Sequence, residues 1–140
     1  MAHVHFFLNP KGGTGKSLVS YIVAQYLISK GVKTTCIDCD PVTPTLIAYE
    51  ALHAVRVNIM VENNIDKTKF DRFVELIAQG EENEHFVIDN GTSSFVPLLD
   101  YMVTNAITPL LVSMGHTVTF HVIIVGATTS PVRSTASNKL

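Results

Sequence analysis

The run Asn9-Pro10-Lys11-Gly12-Gly13-Thr14-Gly15-Lys16-Ser17 packs three glycines, two lysines and two hydroxyls into nine residues. That composition suits the capture of a phosphate group. Glycines lack a Cβ, so the backbone can curl and turn its N–H groups inward onto an anion. Gly12, Gly13, Thr14, Gly15, Lys16 and Ser17 form the expected phosphate-binding set, with Lys16 on the β- and γ-phosphates and the Ser17 hydroxyl on Mg²⁺. Pro10 stands where such a loop often opens. An apolar, β-prone run (Val4, Phe6, Phe7, Leu8) precedes the loop and an apolar helical pattern follows it. A helix starting near Lys16 points its positive end at the same anion. The competing reading is a surface turn with a spare lysine, and the strand–loop–helix context argues against it.

Two further places offer carboxylates at the ends of apolar runs. Asp38-Cys39-Asp40-Pro41 closes one expected strand, and Asp89 closes His85-Phe86-Val87-Ile88-Asp89. Open parallel sheets bind ligands beyond the carboxyl ends of their strands, so these aspartates fall on the phosphate side. An apolar strand ending in Asp is the Walker B arrangement, which holds Mg²⁺ directly or through water. Ser17 and Asp89 are therefore candidate metal residues. Aspartates before Pro41, or in Asp89-Asn90-Gly91, also make ordinary turns.

The elements that must position these groups read as follows. Strands are expected at 3–8, 33–38, 56–61, 85–89, 107–114 and 118–125, and helices at 16–30, 45–53, 66–79 and 95–105. The first helix carries Leu18, Val19, Ile22, Val23, Tyr26 and Leu27 as its stripe, with Lys30 at its negative end and Gly31 as its stop. Asp66 and Ser94 are expected N-caps. A β–α–β start forces a parallel sheet. The 13 residues 128–140 carry few apolar side chains and read as a mobile tail.

Composition bounds the rest. The chain has 140 residues, 46% apolar and 16% charged, with a net charge of −2, so one globular domain is expected. That balance gives no support for a basic nucleic-acid face. No apolar run is long enough to span a membrane and no signal peptide is read, so a cytoplasmic location is expected. Cys36 and Cys39 fall in and just past a strand, which favours buried, inert thiols over redox or iron–sulfur chemistry. His3 and His5 share a strand face, but spacing places no third ligand and no histidine metal site is expected. Glu81, Glu82 and Glu84 read as a solvated acidic run.

Lys11-Gly12-Gly13-Thr14-Gly15-Lys16-Ser17 has a second lysine at its start, which resembles the deviant Walker A motif of the ParA/MinD family of ATPases. That resemblance implies an α/β fold of the P-loop NTPase type, three-layered with a mostly parallel sheet. It implies a nucleotide-binding domain over 1–127 that lacks the last strand–helix units. It implies ATP and Mg²⁺ as ligands and a nucleotide-dependent homodimer. Lys11 would reach the partner's nucleotide, Asp40 would orient the attacking water, and Asp38 would support it near the metal, joining Ser17 and Asp89 as a candidate metal residue. Lys11, Lys16 and Asp40 are thus the catalytic candidates, and 90–93 a second switch. Val42 stands where the family often has Gln. Asp-Pro-Val-Thr-Pro-Thr, Asp-Asn-Gly-Thr-Ser-Ser-Phe-Val-Pro-Leu and Met-Gly-His narrow the likeness to the TraL branch, implying partners in a conjugal-transfer apparatus. The rival expectation is a nucleotide-dependent scaffold, or an inactive remnant, without hydrolysis.

Overall fold

The computed structural model describes residues 1–10, 15–42 and 44–123. Lys11–Thr14, Thr43 and the expected tail at 128–140 lie outside the described residues.

The chain runs β1 (His3–Leu8), α1 (Lys16–Ser29), β2 (Thr34–Asp38), β3 (Val55–Arg56), β4 (Met60–Val61), β5 (Asn64–Ile65), α2 (Lys67–Ala78), β6 (His85–Asp89), α3 (Phe95–Thr104), α4 (Ile107–Ser113) and β7 (Thr117–Val122). Five strands form one parallel sheet in the order β3-β2-β6-β1-β7, while β4 and β5 make a small antiparallel hairpin. β6 is inserted between β1 and β2, so the two strands flanking α1 never touch.

Strand alternation sorts the two faces of the sheet. Val4, Phe6 and Leu8 of β1, with Phe86 and Ile88 of β6, bury against Phe70, Phe73 and Ile77 of α2, Leu98 and Met102 of α3, and Ile107 and Leu111 of α4. Phe7, Cys36 and Val87 face the other way, onto Ala24 of α1 and onto Leu46 and Leu52. Fully burying one such Phe or Leu side chain contributes roughly 1.5–3 kcal/mol. The result is an α/β fold of three layers. Cys36 and Cys39 are both buried, on opposite faces, and burial pushes the Cys36 thiol up to about 11 and Cys39 higher still.

Several expectations are corrected. Residues 107–114 form α4, not a strand: Ile107 and Leu111, four apart, are the buried pair, and Pro109 sits in the first turn where its missing N–H costs nothing. The expected strand at 56–61 pairs with β2 only through Val55–Arg56, then leaves to build the hairpin. The helix at 45–53 is two 3₁₀ turns, Leu46–Ala48 and Glu50–Leu52. Half of the expected α1 stripe holds: Val19, Val23 and Leu27 pack against the core, beside buried Lys16, Ser20 and Ala24, while Leu18, Ile22 and Tyr26 are exposed. Small residues let α1 sit close to the strands that carry the site. Ser94 does not cap α3; its hydroxyl donates to the Gly91 carbonyl at 2.9 Å. Asp66 does cap α2, accepting from the Lys69 N–H at 2.9 Å. Glu84 is not solvated but buried, accepting from the Glu81 N–H at 2.8 Å and from the Thr35 hydroxyl.

Candidate phosphate site

Gly15 sits at φ 86°, a left-handed conformation that an L side chain rarely adopts, and α1 starts on the next residue. Lys16 and Ser17 thereby occupy the first turn of α1, with no acidic side chain in that turn. The register Phe7↔Asp89 places Asp89 at the carboxyl end of β6, beside the end of β1. The three groups meet there. Lys16 Nζ forms an ion pair with Asp89 Oδ1, and Ser17 Oγ donates to Asp89 Oδ2 at 2.9 Å. Asp89 is 0% exposed and Lys16 7%. Burial pushes the Asp89 carboxyl upward, Lys16 and Ser17 oppose that push, and the Asp38 charge adds to it.

Asp38 lies directly across from Asp89 in the β2–β6 ladder and is also fully buried. Its carboxylate accepts from the N–H groups of Asp40 and Ile47, both at 3.0 Å. Asp38 therefore anchors the loop that carries Asp40, a duty that spacing in the sequence does not reveal. Asp40 accepts the Val42 N–H at 2.9 Å. Its carboxylate lies against Gly91: a Cβ on Gly91 would come within 2.5 Å of Asp40 Oδ1. The loop after β2 and the loop after β6 are thus in direct contact. Asn90, between Asp89 and Gly91, is 1% exposed, and among the described residues its side-chain nitrogen and oxygen both lack a hydrogen-bond partner.

The structure therefore gathers Lys16, Ser17 and Asp89 at one point, with Gly15 before them and Asp38 and Asp40 alongside. The other members of the expected set, Lys11, Gly12, Gly13 and Thr14, lie outside the described residues. A carboxylate and a hydroxyl suit Mg²⁺, which keeps several waters and takes its remaining ligands from phosphate. Among the described residues no three His, Cys, Asp or Glu side chains form a group able to hold a metal. The apolar recess of Leu99, Met102, Val103, Pro109 and Phe120 contains none of these polar groups.

A second polar cluster was not legible in the sequence. His5 Nε2 lies 3.0 Å from His85 Nδ1, and His5 Nδ1 lies 3.0 Å from His121 Nε2. His3 stacks on His85 at 4.5 Å between ring centroids, and Phe7 stacks on His121 at 4.4 Å. Burial, then the neighbouring imidazoles, lowers His5 to about 4. Burial lowers His85 and His121 as well.

Residues 5–109 match the model of the CobQ/CobB/MinD/ParA nucleotide binding domain. The chain belongs to that family. The family's P-loop NTPase fold accounts for the parallel sheet and for the loop between β1 and α1. Among its relatives is a Protein TraL from Escherichia coli, 46% identical over 126 residues, which covers 90% of this chain and 52% of that protein. A second Protein TraL from Escherichia coli is 45% identical over the same extent. The chain thus spans about half the length of these curated relatives. No solved structure matches it. No single described helix is long and apolar enough to cross a membrane.

Proposed function

We propose that this chain binds Mg²⁺-ATP and hydrolyses it slowly, as a nucleotide-dependent dimerisation switch. The observation that carries the reading is the convergence of Lys16 and Ser17 on buried Asp89 at the mouth of the sheet, directly after a glycine-rich run. Bound Mg²⁺ would neutralise charge on the terminal phosphates. Asp89 and Ser17 would hold it, with Asp38 behind them. Lys16 would exchange Asp89 for the β- and γ-phosphates. Asp40 would orient the water that attacks the γ-phosphate in line, and Lys11 would reach the partner's nucleotide. Such catalysis is positioning plus electrostatics, so each charge counts. Likeness to the two TraL proteins supports a place in a conjugal-transfer apparatus.

The test is calorimetry with Mg²⁺-ATP on the chain and on Lys16→Ala, alongside sedimentation with and without nucleotide. The expected result is ATP-dependent dimerisation and loss of binding in the variant. Retained binding in Lys16→Ala removes the loop assignment. Dimerisation without phosphate release selects the non-hydrolysing scaffold.

A further inference from the structure

Three neighbouring strands bring four imidazoles to one face of the sheet. β1 carries His3 and His5, β6 carries His85 and β7 carries His121, each half-buried, so solvent reaches the rings. His5 meets a ring nitrogen on either side: His85 Nδ1 lies 3.0 Å from its Nε2, and His121 Nε2 lies 3.0 Å from its Nδ1. Burial holds His5, His85 and His121 below the ordinary imidazole value, so the three rings are neutral at pH 7. A neutral imidazole has one proton for its two nitrogens. His5 therefore donates to one neighbour and presents a lone pair to the other. With Nε2–H donating to His85 Nδ1, the Nδ1 lone pair faces His121. Metal-ligating histidines are held in this way, one N–H pinned by an acceptor and the other nitrogen turned to the ion. Stacking fixes the flanking rings: His3 lies on His85, and Phe7 lies on His121 with the two planes 9° apart.

We propose that His5 Nδ1 and His121 Nε2 form a site for a divalent ion that prefers imidazole, of the Zn²⁺, Ni²⁺ or Cu²⁺ class, tying β7 to β1. Two bonds of about 2.0–2.1 Å that meet near a right angle set their nitrogens about 3 Å apart, which is the spacing present here. Each ring turns about its side-chain bonds to bring its lone pair onto the ion. The ion replaces the proton between the two nitrogens. That proton passes through solvent to His121 Nδ1, so the ring changes tautomer and no net proton is released. Among the described residues no three such side chains converge on one point, because His5 offers a different nitrogen to each neighbour. Water fills the remaining positions, which makes an open, exchangeable site rather than a closed structural one. Nitrogen donors disfavour Mg²⁺, which takes oxygen ligands, so this site is chemically separate from the one at Asp89 and does not rest on the nucleotide reading. His85 is a positioning residue.

The test titrates the full chain with Ni²⁺ and with Zn²⁺ by calorimetry, in excess Mg²⁺, and follows thermal melting with each ion. One ion per chain and a melting point raised by the ion are expected. His5→Gln and His121→Gln are expected to lose both, and His85→Leu to bind about tenfold more weakly. His53→Gln, an exposed ring beyond the Glu50–Leu52 turn, is expected to bind as the unsubstituted chain does. Melting without metal shows which variants fold; if His5→Gln does not, His121→Gln, on the outer strand β7, decides. Absence of binding to the unsubstituted chain, or unchanged affinity in His121→Gln, overturns the site. Equal losses in His121→Gln and His53→Gln identify adventitious surface binding and overturn it as well. Unchanged affinity in His85→Leu overturns the positioning role of that residue.

Discussion

Replacing Lys16 by Met tests the buried ion pair at the centre of the site. Asp89 is 0% exposed and its cation 7%, so the substitution strands a carboxylate that water cannot reach. Breaking one side of a buried pair costs about 3–5 kcal/mol. Two features of this site reduce that figure. Ser17 still donates to Asp89 Oδ2 at 2.9 Å, and burial already pushes the carboxyl upward, so it can escape by taking a proton. The expected loss at pH 7 is therefore about 2–4 kcal/mol. The pH dependence has a definite sign. In the variant, the folded carboxyl titrates above its unfolded value, so the penalty is full above the folded pKa and fades as pH falls through it. Lys16→Met/Asp89→Asn removes both charges and is expected to recover most of the loss, a coupling of about 2–3 kcal/mol. Denaturant titration of the four proteins without nucleotide measures this directly. A coupling below about 0.5 kcal/mol would show that the pair is not formed in solution. ATP binding should be absent from the double variant even where stability returns, which separates fold from ligand.

Three further outcomes are expected. Asp40→Ala should keep Mg²⁺-ATP affinity and lose phosphate release; unchanged release in a malachite-green assay takes Asp40 out of its role. Gly91→Ala should slow phosphate release ~10–100-fold with affinity kept, because φ −76° and ψ 160° suit alanine and the strain falls on the Asp40 carboxylate instead. Equal rates would mean that the two loops are not coupled through this contact. His5 should make the fold acid-sensitive: with a folded value near 4 against 6.5, the unfolded chain binds the proton first, so stability is full above 6.5 and falls between 6.5 and 4. The ceiling is about 3.4 kcal/mol, which solvent screening of this partly exposed imidazole cuts to about 1–2 kcal/mol. His5→Gln should flatten that part of the stability–pH curve, and a curve parallel to that of the unsubstituted chain would contradict the assignment.

What the sequence disclosed were local signals with one physical meaning. Gly31 takes φ 76° just past α1, Asp66 caps α2, and the loop before Lys16 stands between a strand and a helix. The family and the α/β class followed from these. What it concealed depended on partners far along the chain. His5 and His85 are 80 residues apart and meet only because β1 and β6 are neighbours. Glu84 looks solvated beside Glu81 and Glu82 until Thr35 arrives across the sheet. The run from Ile107 to Val112 is apolar and β-branched in part, and only packing of Ile107 and Leu111 against the core decides for a helix. In the site, Lys16, Ser17 and Asp89 were legible as chemistry. The anchoring of the Asp40 loop by Asp38 was not, because it rests on a backbone amide nine residues on.

The placement of β6 between β1 and β2 also dictates the order in which the molecule can be made. As synthesis proceeds, β1 has no ladder partner until residue 85 emerges, and β2 has only the two-residue β3. Val4, Phe6, Phe7 and Leu8 must therefore wait, unpaired and apolar, until the chain has been extended to residue 85. For this chain the hazard of misassociation is greatest on the ribosome, and it ends when a single late strand closes the gap.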